Sequence, residues 1–490
     1  MREVTSAILD PMIGWIILAI FSVLWVVLGW WFGRDQKDLE GFMLAGRKVG
    51  LALGVATAMA TWVTSNTTMA APQLAFQLGV WGMIGYSLGA VGLILFAPLA
   101  RRIRELMPHG FTSGDFVRIR YGVWPWRIFL GVSLFYALGW LISMGTAGGV
   151  LINALTGIEF ARGMTVIVTI CVLYTLLGGL RAVIGTDFIQ TVVILLGVSA
   201  LAWMAIDAVG FERIHEATLA DRPALLDLLF PAAIMFLFNN LLFGIGEIFH
   251  SNVWWSRAFA FREGVGMPAY LLAGALWIPV PIVAGFVALA APTLGLNVPA
   301  ADMVGPMVAA HLFGQAGAIL VFIVIFAALA SSLDSLLAAT SDLVLTDLYK
   351  GHVHRSASPE ELARAARWVV LGLGLVTWLL CLPRVATLAE MLHFTGAFVA
   401  STIWPIAAGL YWKHASGAGA AWAMVLGTAS GLVAYSTIGF YVAALISAAV
   451  SMGVVCVAAW VAPGDFDWSR LAEQEPMSAD TSDRVEEVAA

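Results

Sequence analysis

Residues 321–342 read VFIVIFAALASSLDSLLAATSD, an apolar run that continues into serines and aspartates. At about 100° per residue, four polar side chains share one helix face about 100° wide: Ser331, Asp334, Ser335 and Asp342. Small hard cations need several oxygen ligands, and this face supplies them. Serines that bond back to their own preceding turn are the alternative, which explains the hydroxyls but not Asp334.

The composition is that of a membrane protein. Of the 490 residues, 61% are hydrophobic and 11% charged, whereas soluble domains carry about 25% charged residues. The mean hydropathy is +0.90. Apolar runs long enough to cross a hydrocarbon core of about 30 Å recur along the chain. The sequence therefore predicts an all-α integral membrane protein in a lipid bilayer with about 13 transmembrane helices. These runs are 12–33, 48–73, 80–100, 128–156, 163–179, 186–209, 230–255, 268–291, 315–348, 367–383, 387–411, 418–436 and 440–462.

Positive charges predict the orientation of the helices, because Lys and Arg accumulate in short cytoplasmic loops. With the N-terminus outside, about twenty of the 25 Lys and Arg residues fall in cytoplasmic segments, Arg257 and Arg262 among them. We expect a cell (inner or plasma) membrane protein with the N-terminus outside and the C-terminus in the cytoplasm. Residues 463–490 are rich in acids and predict a disordered cytoplasmic tail.

The sequence lacks the motifs that are typical of several other classes of protein. There is no GxxxxGK[ST] phosphate loop, so neither ATP nor nucleic acid is expected as a partner. The eight histidines are scattered and offer no paired ligands for haem or copper, and the three cysteines predict no disulfide or metal framework. No set of nucleophile, base and oxyanion donors suggests an enzyme. The oligomeric state stays open.

Two of the runs carry polar residues at membrane depth. Residues 60–72, in the second run, read ATWVTSNTTMAAP, and such dense hydroxyls satisfy backbone groups where a helix opens around a cavity. Packing of small polar residues against a neighbouring helix is the alternative. Residues 239–255, in the seventh run, read NNLLFGIGEIFHSNVWW. There Gly244 and Gly246 favour a break, and Glu247 requires an aqueous path or a salt-bridge partner.

The two interrupted runs are five runs apart, which is the pattern of a 5+5 inverted-repeat transporter with two broken helices and a site near the midplane. The predicted domains are an N-terminal extra helix and loop (1–45), a first five-helix repeat (46–210), a second five-helix repeat (211–413), two C-terminal helices (414–462) and the tail (463–490).

Three motifs resemble the sodium:solute symporter family, whose fold is the LeuT-type inverted repeat. Residues 174–190, YTLLGGLRAVIGTDFIQ, are similar to the strongest signature of the family. Residues 327–350, AALASSLDSLLAATSDLVLTDLYK, resemble its cation-site helix, and residues 111–122, FTSGDFVRIRYG, resemble a family loop. The resemblance covers essentially residues 10–462.

The resemblance implies a sodium ion between the first broken helix and the cation-site helix. Its ligands would be the carbonyls of Ala60, Val63 and Ala328 and the hydroxyls of Ser331 and Ser332. Ser332 lies off the polar helix face described above, so it would reach a different neighbour.

A second cation site, for Na⁺ or H⁺, is also expected. Asp187 matches a family aspartate that forms a second sodium site in some members, and Asp334 stands where those members often have a hydroxyl. With Ser335 they would share a pocket, where two carboxylates either attract a further cation or share a proton.

The solute is predicted to be small, polar and organic, either amide-bearing like urea or amino-acid-like. Residues 251–264, SNVWWSRAFAFREG, resemble the urea-transporting branch. The resemblance implies a cavity lined by Thr64, Asn66, Thr67, Ser143, Glu247, His250 and Asn252. The expected function is uptake of this solute by alternating access, coupled to inward Na⁺ movement. The alternatives are a proton-coupled or uncoupled transporter, or a transport-inactive sensor with the same fold.

Overall fold

The computed structural model describes residues 8–33, 39–227, 229–354 and 357–473. These residues form α-helices joined by short turns, with one isolated bridge between Val49 and Phe261. The predicted tail beyond residue 473 lies outside the described residues, as do three of the basic residues that the orientation prediction counts as cytoplasmic: Arg34, Lys37 and Arg355. In chain order the helices are α1 (Pro11–Gly33), α2 (Leu39–Leu44), α3 (Leu51–Trp62), α4 (Ser65–Leu78), α5 (Val80–Ser87), α6 (Ala90–Leu106), α7 (Ser113–Tyr121), α8 (Val123–Thr156), α9 (Phe160–Ala208), α10 (Phe211–Asp221), α11 (Pro231–His250), α12 (Asn252–Ala260), α13 (Gly266–Trp277), α14 (Pro279–Ala288), α15 (Val304–Leu343), α16 (Pro359–Cys381), α17 (Leu388–Ala400), α18 (Ile403–Tyr411), α19 (Gly417–Thr437) and α20 (Ala443–Val461).

Eleven segments within the described ranges are long and apolar enough to cross a membrane. The predicted count of thirteen is not confirmed, because two predicted runs, 48–73 and 163–179, correspond to shorter apolar helices, Leu51–Trp62 and Phe160–Leu176. The other predicted runs coincide with the eleven spans. Large apolar side chains face outward along these spans; on α1, Ile20 and Val23 are 59% and 65% exposed. A surface this apolar belongs in lipid, and the chain is a multi-pass membrane protein.

The helix α9 has 49 residues. At a rise of about 1.5 Å per residue, its length exceeds twice the thickness of a hydrocarbon core of about 30 Å. Its two apolar parts both contact the middle of α15. The Tyr174 hydroxyl donates to the Ala330 carbonyl over 2.7 Å, and the Ser331 hydroxyl donates to Asp187 over 2.5 Å. The two apolar segments of α9, Phe160–Leu176 and Ala182–Ala208, therefore lie against the same part of α15. The structure gives α9 as one continuous helix, so it does not confirm the predicted runs 163–179 and 186–209 as two separate crossings.

The first predicted break lies between α3 and α4. Thr64 is the N-cap of α4, and its hydroxyl accepts from the Thr67 backbone N–H while the Thr67 hydroxyl accepts from that of Thr64, each over 3.2 Å. The Thr67 hydroxyl also donates to the Trp62 carbonyl over 3.0 Å. The hydroxyls thus replace hydrogen bonds that the broken helix loses, which is why a polar run can open inside a membrane.

The second break lies at Ser251, between α11 and α12, and not at the glycines. Gly244 and Gly246 lie within continuous α11, where they allow close helix contacts. A Cβ on Gly244 would lie 2.5 Å from the Cα of Gly89, and one on Gly246 would lie 2.8 Å from the backbone of Val399. The glycine pair therefore serves interhelical packing, as small residues do in membranes.

Candidate functional site

The cation-site helix α15 contacts the end of α3. The Ser332 hydroxyl lies 3.3 Å from the Thr61 carbonyl and donates to the Ala328 carbonyl over 2.9 Å. Ala60, Val63 and Ala328 are buried on the two sides of this contact. Of the predicted sodium ligands, Ser332 and the Ala328 carbonyl therefore lie at the contact with Thr61, whose neighbours in the chain include Ala60 and Val63. Carbonyl and hydroxyl oxygens are the ligands that a hard cation takes.

Ser331 points to α9 instead of α3. Its hydroxyl donates to one oxygen of Asp187 over 2.5 Å, and the other oxygen of Asp187 accepts from the Thr57 hydroxyl over 2.6 Å. A cation beside Ser332 would therefore lie next to a carboxylate held by Ser331. This arrangement links the predicted sodium ligands to the predicted second cation site.

A buried arginine occupies part of that predicted second site. Arg257 was expected in a cytoplasmic segment, but the structure places it on α12 with its side chain fully buried. Its Nη2 lies 3.4 Å from Asp187 and donates to the hydroxyls of Thr61 (2.6 Å) and Ser335 (2.8 Å). The guanidinium supplies positive charge where the sequence analysis expected a bound cation. No sequence pattern indicates this position, since Arg257 follows an apolar run in the same way as a loop residue does.

Asp334 is buried beside this cluster. One of its oxygens accepts from the Ser335 backbone N–H over 2.5 Å, and the other has no hydrogen-bond partner in the part of the chain that the structure describes. Asp187 and Arg257 lie nearby, together with Tyr174 of α9. The three residues predicted to form the second cation site are therefore in one cluster, with Arg257 added to it.

Aromatic residues line a cavity at the first break, which we call the tryptophan cavity. It is lined by Trp62, Thr64, Tyr86, Gly89, Trp140, Asn240, Phe243 and Trp277. The ring centroid of Trp62 lies 5.8 Å from that of Trp140 and 5.6 Å from that of Trp277. The indole N–H groups of Trp62 and Trp140 have no partner among the described residues. They are free donors for a bound solute.

Glu247 lies next to the tryptophan cavity. It accepts hydrogen bonds from the Tyr136 hydroxyl (2.6 Å) and from the Trp254 indole N–H (2.9 Å). The Trp254 ring packs edge-on against Trp62 at 5.5 Å. Among the described residues, the hydrogen-bond donors to Glu247 are these two neutral side chains, and no salt bridge of Glu247 is present there. Its carboxylate is a strong acceptor close to the cavity.

A second cavity, the His250 cavity, lies beyond Glu247. Its lining includes Ser133, Tyr136, His250, Ser251, Asn252 and Thr340. Asn252 is already engaged, since it accepts from the Ser113 backbone N–H (2.9 Å) and donates to the Ala339 carbonyl (3.0 Å). His250 has no hydrogen-bond partner on either ring nitrogen within the described ranges.

The other predicted solute ligands line neither cavity. Asn66 accepts from the Ser143 hydroxyl over 2.9 Å, which ties α4 to α8, and Thr67 caps the broken helix. The structure thus separates the predicted set: Thr64 lines the tryptophan cavity, and His250 and Asn252 line the other. The sequence analysis missed Trp62, Trp140 and Trp277. Among 20 tryptophans, only their convergence in space distinguishes these three.

A model of one family matches most of the chain. The match to the "Sodium:solute symporter family" covers residues 42–427. The family resemblance of the three sequence motifs is therefore confirmed.

Curated relatives are transporters. The urea-proton symporter of rice (Oryza sativa subsp. japonica) is 28% identical over 458 residues, covering 86% of this chain and 64% of the relative. The urea active transporter of Saccharomyces cerevisiae is 26% identical over 73% of this chain and 53% of its own length. The osmoregulated proline transporter of Bacillus subtilis is 27% identical over 86% of this chain and 88% of its own. The chain thus spans about three fifths of the length of these urea transporters.

Solved structures share the fold. A Na⁺-coupled sialic acid symporter in a substrate-bound, outward-open state aligns with a TM-score of 0.76 at 18% identity, over 93% of this chain and 99% of that chain. A nucleobase-cation-symport-1 family transporter in a closed conformation aligns with a TM-score of 0.53 at 13% identity, over 91% and 98% of the two chains. The predicted LeuT-type, all-α fold is confirmed. Built on this fold and matched over most of its length, the chain belongs to the sodium:solute symporter family, whose members are transporters and not enzymes.

Proposed function

We propose that this protein couples the inward movement of Na⁺ to the uptake of a small, amide-bearing solute such as urea. One observation carries the proposal: the Ser332 hydroxyl meets the Thr61 carbonyl at the first helix break, next to the tryptophan cavity. An ion bound there would contact the same unwound segment that lines the solute cavity. Binding of either species would then favour binding of the other, as coupling requires.

The sodium site would consist of the carbonyls of Ala60, Val63 and Ala328 with the hydroxyls of Ser331 and Ser332. These residues belong to α3 with its break and to α15, so an ion between them would hold the two helices together. Inward movement of one positive charge is worth about 2.3 kcal/mol per 100 mV of membrane potential. This energy can drive uptake against a solute gradient.

The tryptophan cavity suits a small planar amide. Urea offers a carbonyl acceptor and N–H donors, and the free indole N–H groups of Trp62 and Trp140 supply donors for that carbonyl. Glu247 supplies an acceptor for an N–H group. A carboxylate-bearing solute such as proline fits less well, because its negative charge would lie near the buried carboxylate of Glu247. The similarity to urea transporters of rice and yeast agrees with this choice.

We propose that hydrogen bonds at the two ends of the bundle are the contacts that open and close the solute path. Toward the end that we propose to be cytoplasmic, α7 is held by the Ser113–Asn252 bond and by Tyr121, which donates to the Pro405 carbonyl over 2.6 Å. Tyr121 lies outside the membrane spans, and burial raises the pKa of its hydroxyl, so it remains a donor at neutral pH. Toward the opposite end, Gln73 donates to Thr387 over 3.1 Å. Alternating access would open one set of contacts at a time.

The test is uptake of radiolabelled urea into proteoliposomes containing the purified chain. We expect uptake to rise several-fold with an inward Na⁺ gradient compared with an equal K⁺ gradient, and to fall when an ionophore collapses the Na⁺ gradient. Protein-free liposomes give the passive leak. Uptake that follows a pH gradient but not Na⁺ would replace Na⁺ by H⁺ as the coupling ion. Uptake that responds to neither ion would reject symport.

Proton coupling is the second candidate, and the observation that favours it is the unpaired oxygen of Asp334. A fully buried carboxylate without a donor on one oxygen is more easily accommodated when it carries a proton. The rice relative is named a urea-proton symporter. The pH-gradient arm of the same experiment distinguishes the two coupling ions.

A further inference from the structure

The imidazole of His250 is buried, and neither of its nitrogens has a hydrogen-bond partner among the residues that the structure describes. Only 1% of the residue is exposed, and its ring lies 4.7 Å from the ring of Phe129 and 5.6 Å from that of Tyr136. The buried His393, in contrast, uses both nitrogens, with the Ala389 carbonyl at 2.7 Å and the Asn240 carbonyl oxygen at 3.2 Å. Buried polar groups in proteins are normally hydrogen-bonded, so the free nitrogens of His250 indicate a missing partner.

Those free nitrogens belong to a residue that lines the His250 cavity. A neutral imidazole has one N–H donor and one acceptor nitrogen. Urea and other primary amides carry a carbonyl acceptor and N–H donors, so one such molecule can bond to one ring nitrogen and bridge it to Thr340, whose hydroxyl side chain also lines the cavity. The chemistry of this cavity therefore matches the solute proposed for the tryptophan cavity.

A chain of side-chain contacts connects the linings of the two cavities. Tyr136 lines the His250 cavity and donates to Glu247 over 2.6 Å. Glu247 in turn accepts from Trp254, whose ring packs against Trp62 of the tryptophan cavity. If the Tyr136 hydroxyl moves away, one oxygen of Glu247 is left without its donor. A solute N–H group can then take the place of that hydroxyl, so no buried acceptor remains unpaired during the passage.

We propose that the His250 cavity is a second solute-binding site, in series with the tryptophan cavity on the way to the cytoplasm, in which His250 binds the amide. The proposal rests on the proposed function, since it takes the same class of solute. The solute leaves the tryptophan cavity past Glu247, binds to His250, and enters the cytoplasm when the Asn252–Ser113 contact opens. The second site therefore affects the binding and release of solute at the cytoplasmic face more than at the outer face.

The test compares urea flux in right-side-out and inside-out membrane vesicles at saturating Na⁺. We expect His250→Phe, which keeps a ring but removes both nitrogens, to raise the half-saturating urea concentration on the cytoplasmic face about tenfold and that on the outer face less than threefold. Thr340→Val, which removes a hydroxyl from the same lining, should give a smaller shift on the cytoplasmic face alone. His250→Asn, which restores a donor and an acceptor, should return the cytoplasmic value to within about threefold of the unmodified chain.

Two results would overturn the second site. One is an equal shift on both faces for His250→Phe, which indicates a single binding site or a general structural effect. The other is no shift on either face for a variant that is folded, as judged by its thermal unfolding temperature. Failure of the proposed function is distinguishable, because it appears as the absence of cation-stimulated urea flux in vesicles that contain the unmodified chain.

Discussion

One guanidinium nitrogen of Arg257 lies 3.4 Å from a carboxylate oxygen of Asp187, and both side chains are fully buried. Arg257 belongs to the helix that follows the second break, and Asp187 belongs to α9. The same guanidinium donates to Thr57 of α3 over 3.0 Å and to Ser335 of α15 over 2.8 Å. The guanidinium of Arg257 therefore links α12 and α3, which belong to the two broken helices, to α9 and α15.

Substitution of Arg257 by a neutral residue should destabilise the protein strongly, because it leaves the buried carboxylate of Asp187 without its counter-charge. We expect Arg257→Gln to lower the free energy of unfolding in detergent by about 3–5 kcal/mol. The double variant Arg257→Gln with Asp187→Asn removes both charges and should recover part of that loss. Arg262→Gln is the control: this arginine is exposed, and among the described residues its guanidinium bonds to the Lys48 carbonyl. The substitution should change stability by about 0.5 kcal/mol or less. A double variant that is no more stable than the single one would contradict the pairing.

The predicted sodium ligands can be tested with hydroxyl deletions. We expect Ser331→Ala with Ser332→Ala to lower the apparent Na⁺ affinity of urea uptake by about tenfold or more, since about 1.4 kcal/mol of lost binding energy is a factor of ten. Membrane insertion should remain normal. Ser341→Ala is the matched control: Ser341 is buried on the same helix with its hydroxyl unpartnered in the described structure. Unchanged Na⁺ dependence in the double variant would show that the site lies elsewhere.

The indole donors of the tryptophan cavity predict a specific loss of solute affinity. Trp140→Phe removes one free N–H group while keeping an aromatic ring, and we expect the half-saturating urea concentration for uptake to rise about five- to tenfold, consistent with one lost hydrogen bond. Trp25→Phe provides the comparison, because Trp25 also has a buried indole N–H without a partner in the described ranges but lies on α1, packed against Phe21. Equal effects of the two substitutions would remove the tryptophan cavity from the solute path.

Substitution of Asn252 tests whether this residue binds the solute or holds the cytoplasmic end closed. Its amide joins the Ser113 backbone of α7 to the Ala339 carbonyl of α15, so Asn252→Ala should favour opening at the cytoplasmic end. We expect faster labelling of a cysteine introduced at Ala339 by a thiol reagent from the cytoplasmic side, by about threefold or more, with outer-face urea affinity changed less than twofold. Asn153→Ala, which removes a local bond to the Ile158 carbonyl, is the control. A large loss of outer-face affinity without increased labelling would instead make Asn252 a solute ligand.

Both helix breaks are in the runs that the sequence predicted, for two different reasons. Around Thr64, the hydroxyl-rich sequence itself supplies the caps that an opened helix needs, so local chemistry was sufficient. In the seventh run the glycines suggested a break, but it lies at Ser251 because Gly244 and Gly246 are needed where α11 touches the backbones of Gly89 and Val399. Close contacts between distant segments cannot be read from one segment alone.

The sequence by itself determined the membrane class, the two interrupted helices and the line of oxygen-bearing residues on α15, because hydropathy, helix period and capping are properties of neighbouring residues. Only the tertiary structure decided which groups meet across the bundle. It brought Arg257 from an apparent loop into contact with Asp187, gathered three of 20 tryptophans around one cavity, and left His250 facing another without a partner. These relations join residues far apart in the chain, and they depend on how helices pack, which no local pattern encodes.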